Sequence, residues 1–185
     1  MAVATPIGEL GLAAPDFALP GVDGNVWTCA AVTGDNGLLV MFICNHCPYV
    51  KAIRERLVRA AADVMALGVG VVAINANDAQ AYPEDDFETM QAVAAQFGFP
   101  FPYLQDASQA VARAYDAVCT PDFFGYNRDM QLQYRGRLDA GRLDPPPEGA
   151  RRELVEAMRQ IAETGRGPAE QTPSMGCSIK WLDAG

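Results

Sequence analysis

A chain of 185 residues, half of them hydrophobic and about a fifth charged, has the size and balance of one globular domain with a full apolar core. A net charge of −9 argues against binding nucleic acid through clustered Lys and Arg, and disfavours docking on an anionic membrane. Residues 1–14 carry no Lys or Arg, and the longest apolar run, residues 38–43, is too short to span a bilayer, so the chain reads as cytoplasmic with neither a signal nor a membrane segment.

Residues 15–19 and 26–28 predict a β-hairpin around the turn formers of 21–25. The apolar run 38–43, bounded by turn signals, predicts a central strand buried on both faces. Pro48 suits the first turn of a helix, and Val50, Ile53, Leu57, Ala61, Val64 and Leu67 then recur at helical spacing until Gly68. A second buried strand, 69–74, completes a parallel βαβ unit. A helix over 85–97 carries Phe87, Met90, Val93, Ala94 and Phe97 on its apolar side, and the acidic triplet Glu84-Asp85-Asp86 reads as its solvated start. A short extended piece at 101–104 leads to a helix over 109–118, with Ser108 as its cap.

Beyond Pro121, residues 122–126 and 131–134 predict a hairpin whose Tyr126, Arg128, Arg135 and Arg137 face solvent. Pro145-Pro146-Pro147 is a stiff connector to a last helix over 148–163, with Leu154, Met158 and Ile161 inward. Met41, Met65, Met90 and Met158 read as core fillers. The expected architecture is α/β, a mixed central sheet with helices on both faces. Residues 1–164 form the domain, and 165–185 form a tail without a clear element that carries Cys177.

The chemistry points to Cys44-Asn45-His46-Cys47, at the junction of the central strand and the following helix. A thiolate is the reactive form of cysteine, and a thiol of pKa about 8.5 is acidified at a helix N-terminus or beside a cation. Cys44 is expected at the cap as the attacking thiol. Cys47, in the first turn, is expected to resolve the mixed disulfide, and His46, the single histidine, to tune the potential. A four-ligand zinc site needs two further Cys or His at matching spacing, and the chain lacks them, so neither metal nor cofactor is expected. Cys29 reads as a buried inert thiol. Cys119, beside Thr120-Pro121, and Cys177, in a stretch that looks mobile and exposed, are further redox candidates.

Pro15-Asp16-Phe17, Cys44-Asn45-His46-Cys47-Pro48, Phe101-Pro102-Tyr103-Leu104, Cys119-Thr120-Pro121-Asp122-Phe123-Phe124 and Tyr134-Arg135-Gly136-Arg137-Leu138-Asp139 occur in that order. On these segments the chain resembles the redoxin branch of the thioredoxin-like superfamily, which includes the AhpC/TSA proteins and the TlpA/ResA-like oxidoreductases. The resemblance implies a thioredoxin-like fold and disulfide exchange with protein or small-molecule thiols and disulfides. It also implies that the helix near 85–97 is the insertion of that branch. Thr120 and Pro121 would be the cis-proline loop that faces the cysteine pair and binds substrate backbone. Peroxiredoxins of the same fold carry Pro-x-x-x-Thr/Ser-x-x-Cys, for which this chain has Val40, Cys44 and Cys47. Peroxidase activity on hydroperoxides is therefore the second reading. A copper-binding module of the Sco type is a remote third, because the histidine lies inside the motif and the cysteines are two residues apart.

Overall fold

The structure is a computed structural model that describes residues 2–6 and 8–182. Its first part runs β1 (Ala2–Ala4), β2 (Ala18–Pro20), β3 (Val26–Thr28), α1 (Cys29–Val32), β4 (Leu38–Phe42), α2 (Pro48–Met65) and β5 (Gly70–Asn75). A 3-10 turn at Pro83–Asp85 leads to α3 (Phe87–Phe97), β6 (Tyr103–Gln105) and α4 (Ala110–Ala114). Then follow β7 (Cys119–Thr120), β8 (Asp122–Tyr126), β9 (Leu132–Tyr134), α5 (Glu153–Thr164) and β10 (Met175–Ser178).

The expected mixed sheet is present, in the order β6-β5-β4-β8-β9, with β4 parallel to β5 and antiparallel to β8. Every residue of β4 is buried, as its unbroken apolar run requires. Leu39 and Met41 point into one layer with Val50, Ile53, Leu57, Ala61 and Val64 of α2 and with Leu154, Met158 and Ile161 of α5. Leu38, Val40 and Phe42 point into the other, against Cys29 and Val32 of α1 and Ala112 of α4. Two-sided burial of this strand is what lets helices pack on both faces of the central sheet. No helix among the described residues is long and apolar enough to cross a membrane.

Several local expectations give way to backbone constraints. The helix expected over 109–118 holds only from Ala110 to Ala114, because Gln109 (φ 62°) and Asp116 (φ 52°) adopt left-handed conformations at its two ends. Ser108 caps nothing at the N-cap itself, although its Oγ accepts from the Ala110 N–H at 3.2 Å. The last helix starts at Glu153 rather than 148, since the proline triplet and Gly149, at φ 74°, cannot enter a helix. Met65 is 38% exposed, not a core filler. Tyr126 and Arg135 are buried rather than solvent-facing, and Arg135 donates to the buried Asp122 carboxylate at 3.0 Å, which satisfies a charge the core could not otherwise hold.

The stretch after Gly165 carries a strand. β10 lies between β1 and β7, antiparallel to both, so it forms a small second sheet with the start of the described chain. No alternating pattern marks Met175-Gly176-Cys177-Ser178, and only its partners make it a strand.

Leu57 is fully enclosed between α2 and the sheet, so Leu57→Ala removes contacts and leaves a cavity. A loss of about 2–5 kcal/mol in urea unfolding is expected, against less than about 0.5 kcal/mol for Met65→Ala on the same helix.

Candidate active site

Proline decides where α2 begins. Pro48 is the first helical residue, and the residue before a proline is pushed out of the α region. Cys47, at φ −61° and ψ 124°, is therefore the N-cap. The expectation that Cys44 would be the cap and Cys47 lie in the first turn is corrected: the cap falls three residues later, at Cys47. Both sulfurs are buried, Cys44 at 1% and Cys47 at 0% exposure, and His46 is the member of the motif that reaches solvent, at 18% of its side chain.

The loop between β4 and the helix is held by Asp85, a residue the sequence placed on a solvated helix start. That expectation is overturned, because Asp85 is 1% exposed while Asp86, its neighbour, takes the N-cap of α3 and accepts from the Thr89 N–H at 2.7 Å. A buried carboxylate must have its oxygens satisfied. Asp85 Oδ1 accepts from the Asn45 N–H at 2.6 Å and the His46 N–H at 3.3 Å. Its Oδ2 pairs with His46 Nδ1 at 2.5 Å and accepts from Asn77 Nδ2 at 2.7 Å. With a carboxylate as partner, His46 Nδ1 carries the proton and Nε2 is left for exchange. The imidazole also stacks on Tyr82, centroid to centroid 5.2 Å at 10°.

Asn45 completes the frame. Its Oδ1 accepts from the Tyr103 hydroxyl at 3.0 Å, and its backbone carbonyl accepts from Arg54 at 3.0 Å. Arg54 is buried on α2, stacks on Phe97, and has no carboxylate partner among the described residues. Burial lowers its proton affinity, while nearby Tyr103 and Cys44 raise it. A buried cation here favours negative charge on the cysteine pair. Sequence reasoning missed Asp85, Tyr103, Asn77 and Arg54. The one signal for Arg54 was a charged residue among the apolar positions 50, 53, 57 and 61.

Thr120 faces both thiols. Its hydroxyl lies 3.2 Å from Cys44 Sγ, and its carbonyl accepts from the Cys47 thiol at 3.3 Å. The Thr120–Pro121 bond is cis, as the resemblance implied, and Pro121 is buried. When the pair loses one proton, the charge favours Cys47. The neighbouring Cys44 and Cys177 thiols and the backbone at Val50 and Cys177 lower its proton affinity, although Cys47 makes no side-chain capping bond to the helix. Cys44 is pushed the other way, by donating its proton to Cys47, by burial and by the negative Asp85. Burial and the Thr120 carbonyl, which takes the Cys47 proton, oppose charge on Cys47.

The other cysteines separate clearly. Burial pushes up the thiols of Cys29 and Cys119, which disfavours the reactive thiolate at both, and Cys119 donates to the Pro121 carbonyl at 3.6 Å. Cys177 is not the mobile, exposed thiol its composition suggested. It is half-buried in β10 and packs against the cluster that contains Cys44 and Cys47. All five thiols are free. Cys44, His46 and Asp85 bring possible metal ligands within 4.8 Å of one another, and both Asp85 oxygens already accept from N–H donors.

Asp85→Asn presents an amide to N–H donors that need an acceptor. It is expected to cost about 1–3 kcal/mol in urea unfolding and, by removing the negative charge, to lower the pH at which Cys44 ionises. An unchanged unfolding midpoint would show that the carboxylate does not hold the loop.

Residues 10–135 match the AhpC/TSA family. An uncharacterized conserved protein from Geobacillus kaustophilus is 48% identical over 100% of this chain and 98% of its own, with a TM-score of 0.92. A hypothetical protein from Sinorhizobium meliloti 1021 is 44% identical over 98% of both chains, with a TM-score of 0.89. The fold alone is shared with a secreted Mycobacterium tuberculosis disulfide oxidoreductase homologous to E. coli DsbE, 22% identical over 63% of this chain and 80% of that one, TM-score 0.53. It is shared equally with the peroxidoxin BcpB of Mycobacterium tuberculosis, 14% identical over 85% of this chain and 98% of that one, TM-score 0.60. No curated protein matches the chain. With a family match over more than half its length, laid on a thioredoxin-like sheet that ends in a cysteine pair, the chain belongs to the AhpC/TSA family.

Proposed function

We propose that the protein is a thiol–disulfide oxidoreductase that works by reversible formation of a Cys44–Cys47 disulfide. The observation that carries this reading is the placement of both thiols on Thr120, Cys47 at the N-cap of α2 and Cys44 3.2 Å from the Thr120 hydroxyl, with the proton affinity of Cys47 lowered and that of Cys44 raised. Such a pair keeps one thiolate and one thiol at neutral pH, which is the state that disulfide exchange needs.

In this reading the thiol of lowered proton affinity, Cys47 at the N-cap, attacks first, where spacing alone suggested Cys44. The Cys47 thiolate attacks a substrate disulfide and forms a mixed disulfide, and the departing sulfur leaves as a thiolate. Cys44 then gives up its proton and attacks Cys47 Sγ, closing the internal disulfide and releasing the second substrate thiolate. His46, held by Asp85 and open at Nε2, is positioned to hand protons to departing thiolates. Thr120 and Pro121 form the wall behind the sulfurs.

Peroxidase chemistry is the second reading, favoured by Cys47 at the helix N-cap, the position that aligns with the peroxide-reactive cysteine. A Cys47 thiolate would take one oxygen from a hydroperoxide, releasing an alcohol. Cys44 would then condense with the sulfenic acid, releasing water and leaving the same disulfide.

Thiolate absorbance at 240 nm tests the assignment. The reduced protein is expected to show one thiolate well below the ordinary thiol range, near pH 8.5, lost in Cys47→Ser and retained in Cys44→Ser. Both variants are expected to reduce insulin no faster than a free dithiol. Wild-type insulin reduction at that same background rate, with rapid peroxide turnover, would replace the first reading by the second.

A further inference from the structure

A polypeptide can bring a cysteine to a sulfur buried at the end of a helix by pairing with the strand that borders it. Here that strand is β7, whose residue Thr120 touches both thiols. An edge of this kind offers unpaired N–H and C=O groups to any extended segment that carries a cysteine to Cys47. In this molecule the edge is already filled by the protein's own β10, with Cys177 opposite Thr120 and Ser178 opposite Cys119.

The filling is close and well anchored. A Cβ on Gly176 would overlap the Thr120 carbonyl, so only glycine lets the strands approach this far. Ser174 Oγ donates to the Pro121 carbonyl at 2.8 Å, and the Ile179 N–H donates to Val118 at 3.1 Å. The Lys180 N–H donates to Asn77 Oδ1 at 2.9 Å, and Asn77 itself holds Asp85. On its far side β10 is paired with β1. The seam between α2, Pro121 and β10 has room for about 20 Å³, on the order of a single water. The strand thus holds Cys177 against the cluster that contains Cys47, opposite Thr120, whose carbonyl accepts from the Cys47 thiol at 3.3 Å.

We propose that β10 is a built-in substrate strand and that Cys177 is the third redox thiol of the site, exchanging with the Cys44–Cys47 disulfide to give Cys47–Cys177. The inference rests on the reading of Cys44 and Cys47 as a redox pair. In the step, Cys177 sulfur attacks Cys47 Sγ, the Cys44–Cys47 bond breaks, and Cys44 leaves with the electron pair. The proton lost by Cys177 is taken up by Cys44, so the exchange needs no external oxidant or reductant and leaves the net charge unchanged. Both thiols have raised proton affinity, that of Cys177 being pushed up to about 11 chiefly by burial, so the proton has a ready donor and a ready acceptor. Holding the thiol in a strand gives it a high effective concentration at Cys47, which offsets its small thiolate fraction. The consequence is that Cys44 is freed as a thiol while the oxidising equivalent is stored against β10.

The test is oxidation of the whole reduced protein with one equivalent of diamide, alkylation with N-ethylmaleimide, and mass mapping of the peptides. Wild type is expected to give both Cys44–Cys47 and Cys47–Cys177. Cys44→Ser is expected to give Cys47–Cys177 as its intramolecular disulfide, and Cys177→Ser to give Cys44–Cys47 alone. Full alkylation of Cys177 in oxidised Cys44→Ser, or a Cys47–Cys119 disulfide in its place, overturns the proposal. Absence of Cys44–Cys47 from oxidised Cys177→Ser would instead remove the redox pair on which it rests. Because Cys177→Ser could loosen β10, Cys177→Ala is mapped beside it, with far-ultraviolet circular dichroism confirming that each variant is folded.

Discussion

A carboxylate shut away from water sets the geometry of this site. Asp85 draws in the backbone of Asn45 and His46, the His46 ring and the Asn77 amide, and so ties the loop after the central strand to an insertion some forty residues away. A buried charge tolerates few arrangements, because each unpaired oxygen would cost as much as a lost hydrogen bond or more. The motif is therefore held in one conformation before any substrate arrives. The same negative charge disfavours ionisation of Cys44, while the N-cap and its donors favour it at Cys47, so two chemically identical thiols are driven apart in proton affinity.

Much of the scaffold was legible from residue order. The unbroken apolar run 38–43 announced β4, Pro48 announced the start of α2, and the helical spacing from Val50 to Val64 announced the face that packs on the sheet. These signals are local, and local physics produces them. The cysteine spacing and Thr120-Pro121 were equally plain, and the fold brings them together.

What stayed hidden depends on partners distant in sequence. Asp85 looked like any acidic residue at a helix start, and nothing beside it tells that His46 and Asn77 will close over it. Arg135 and Tyr126 looked exposed because hairpin alternation was read without Asp122, whose charge draws the guanidinium inward. β10 has no apolar alternation and becomes a strand only between β1 and β7. That the cap falls at Cys47 and not at Cys44 turned on the conformation that Pro48 imposes on its neighbour.

The placement of β10 in the middle of its small sheet has a bearing on synthesis. A ribosome delivers the cysteine pair and the whole five-stranded sheet long before it delivers residues 175–178, and domains begin to fold as they emerge. Until then β7 carries an open edge beside the sulfurs of Cys44 and Cys47, a surface suited to capturing other extended chains. Arrival of the strand shuts that edge from within. The nascent protein and the finished one therefore present different chemistry to their neighbours.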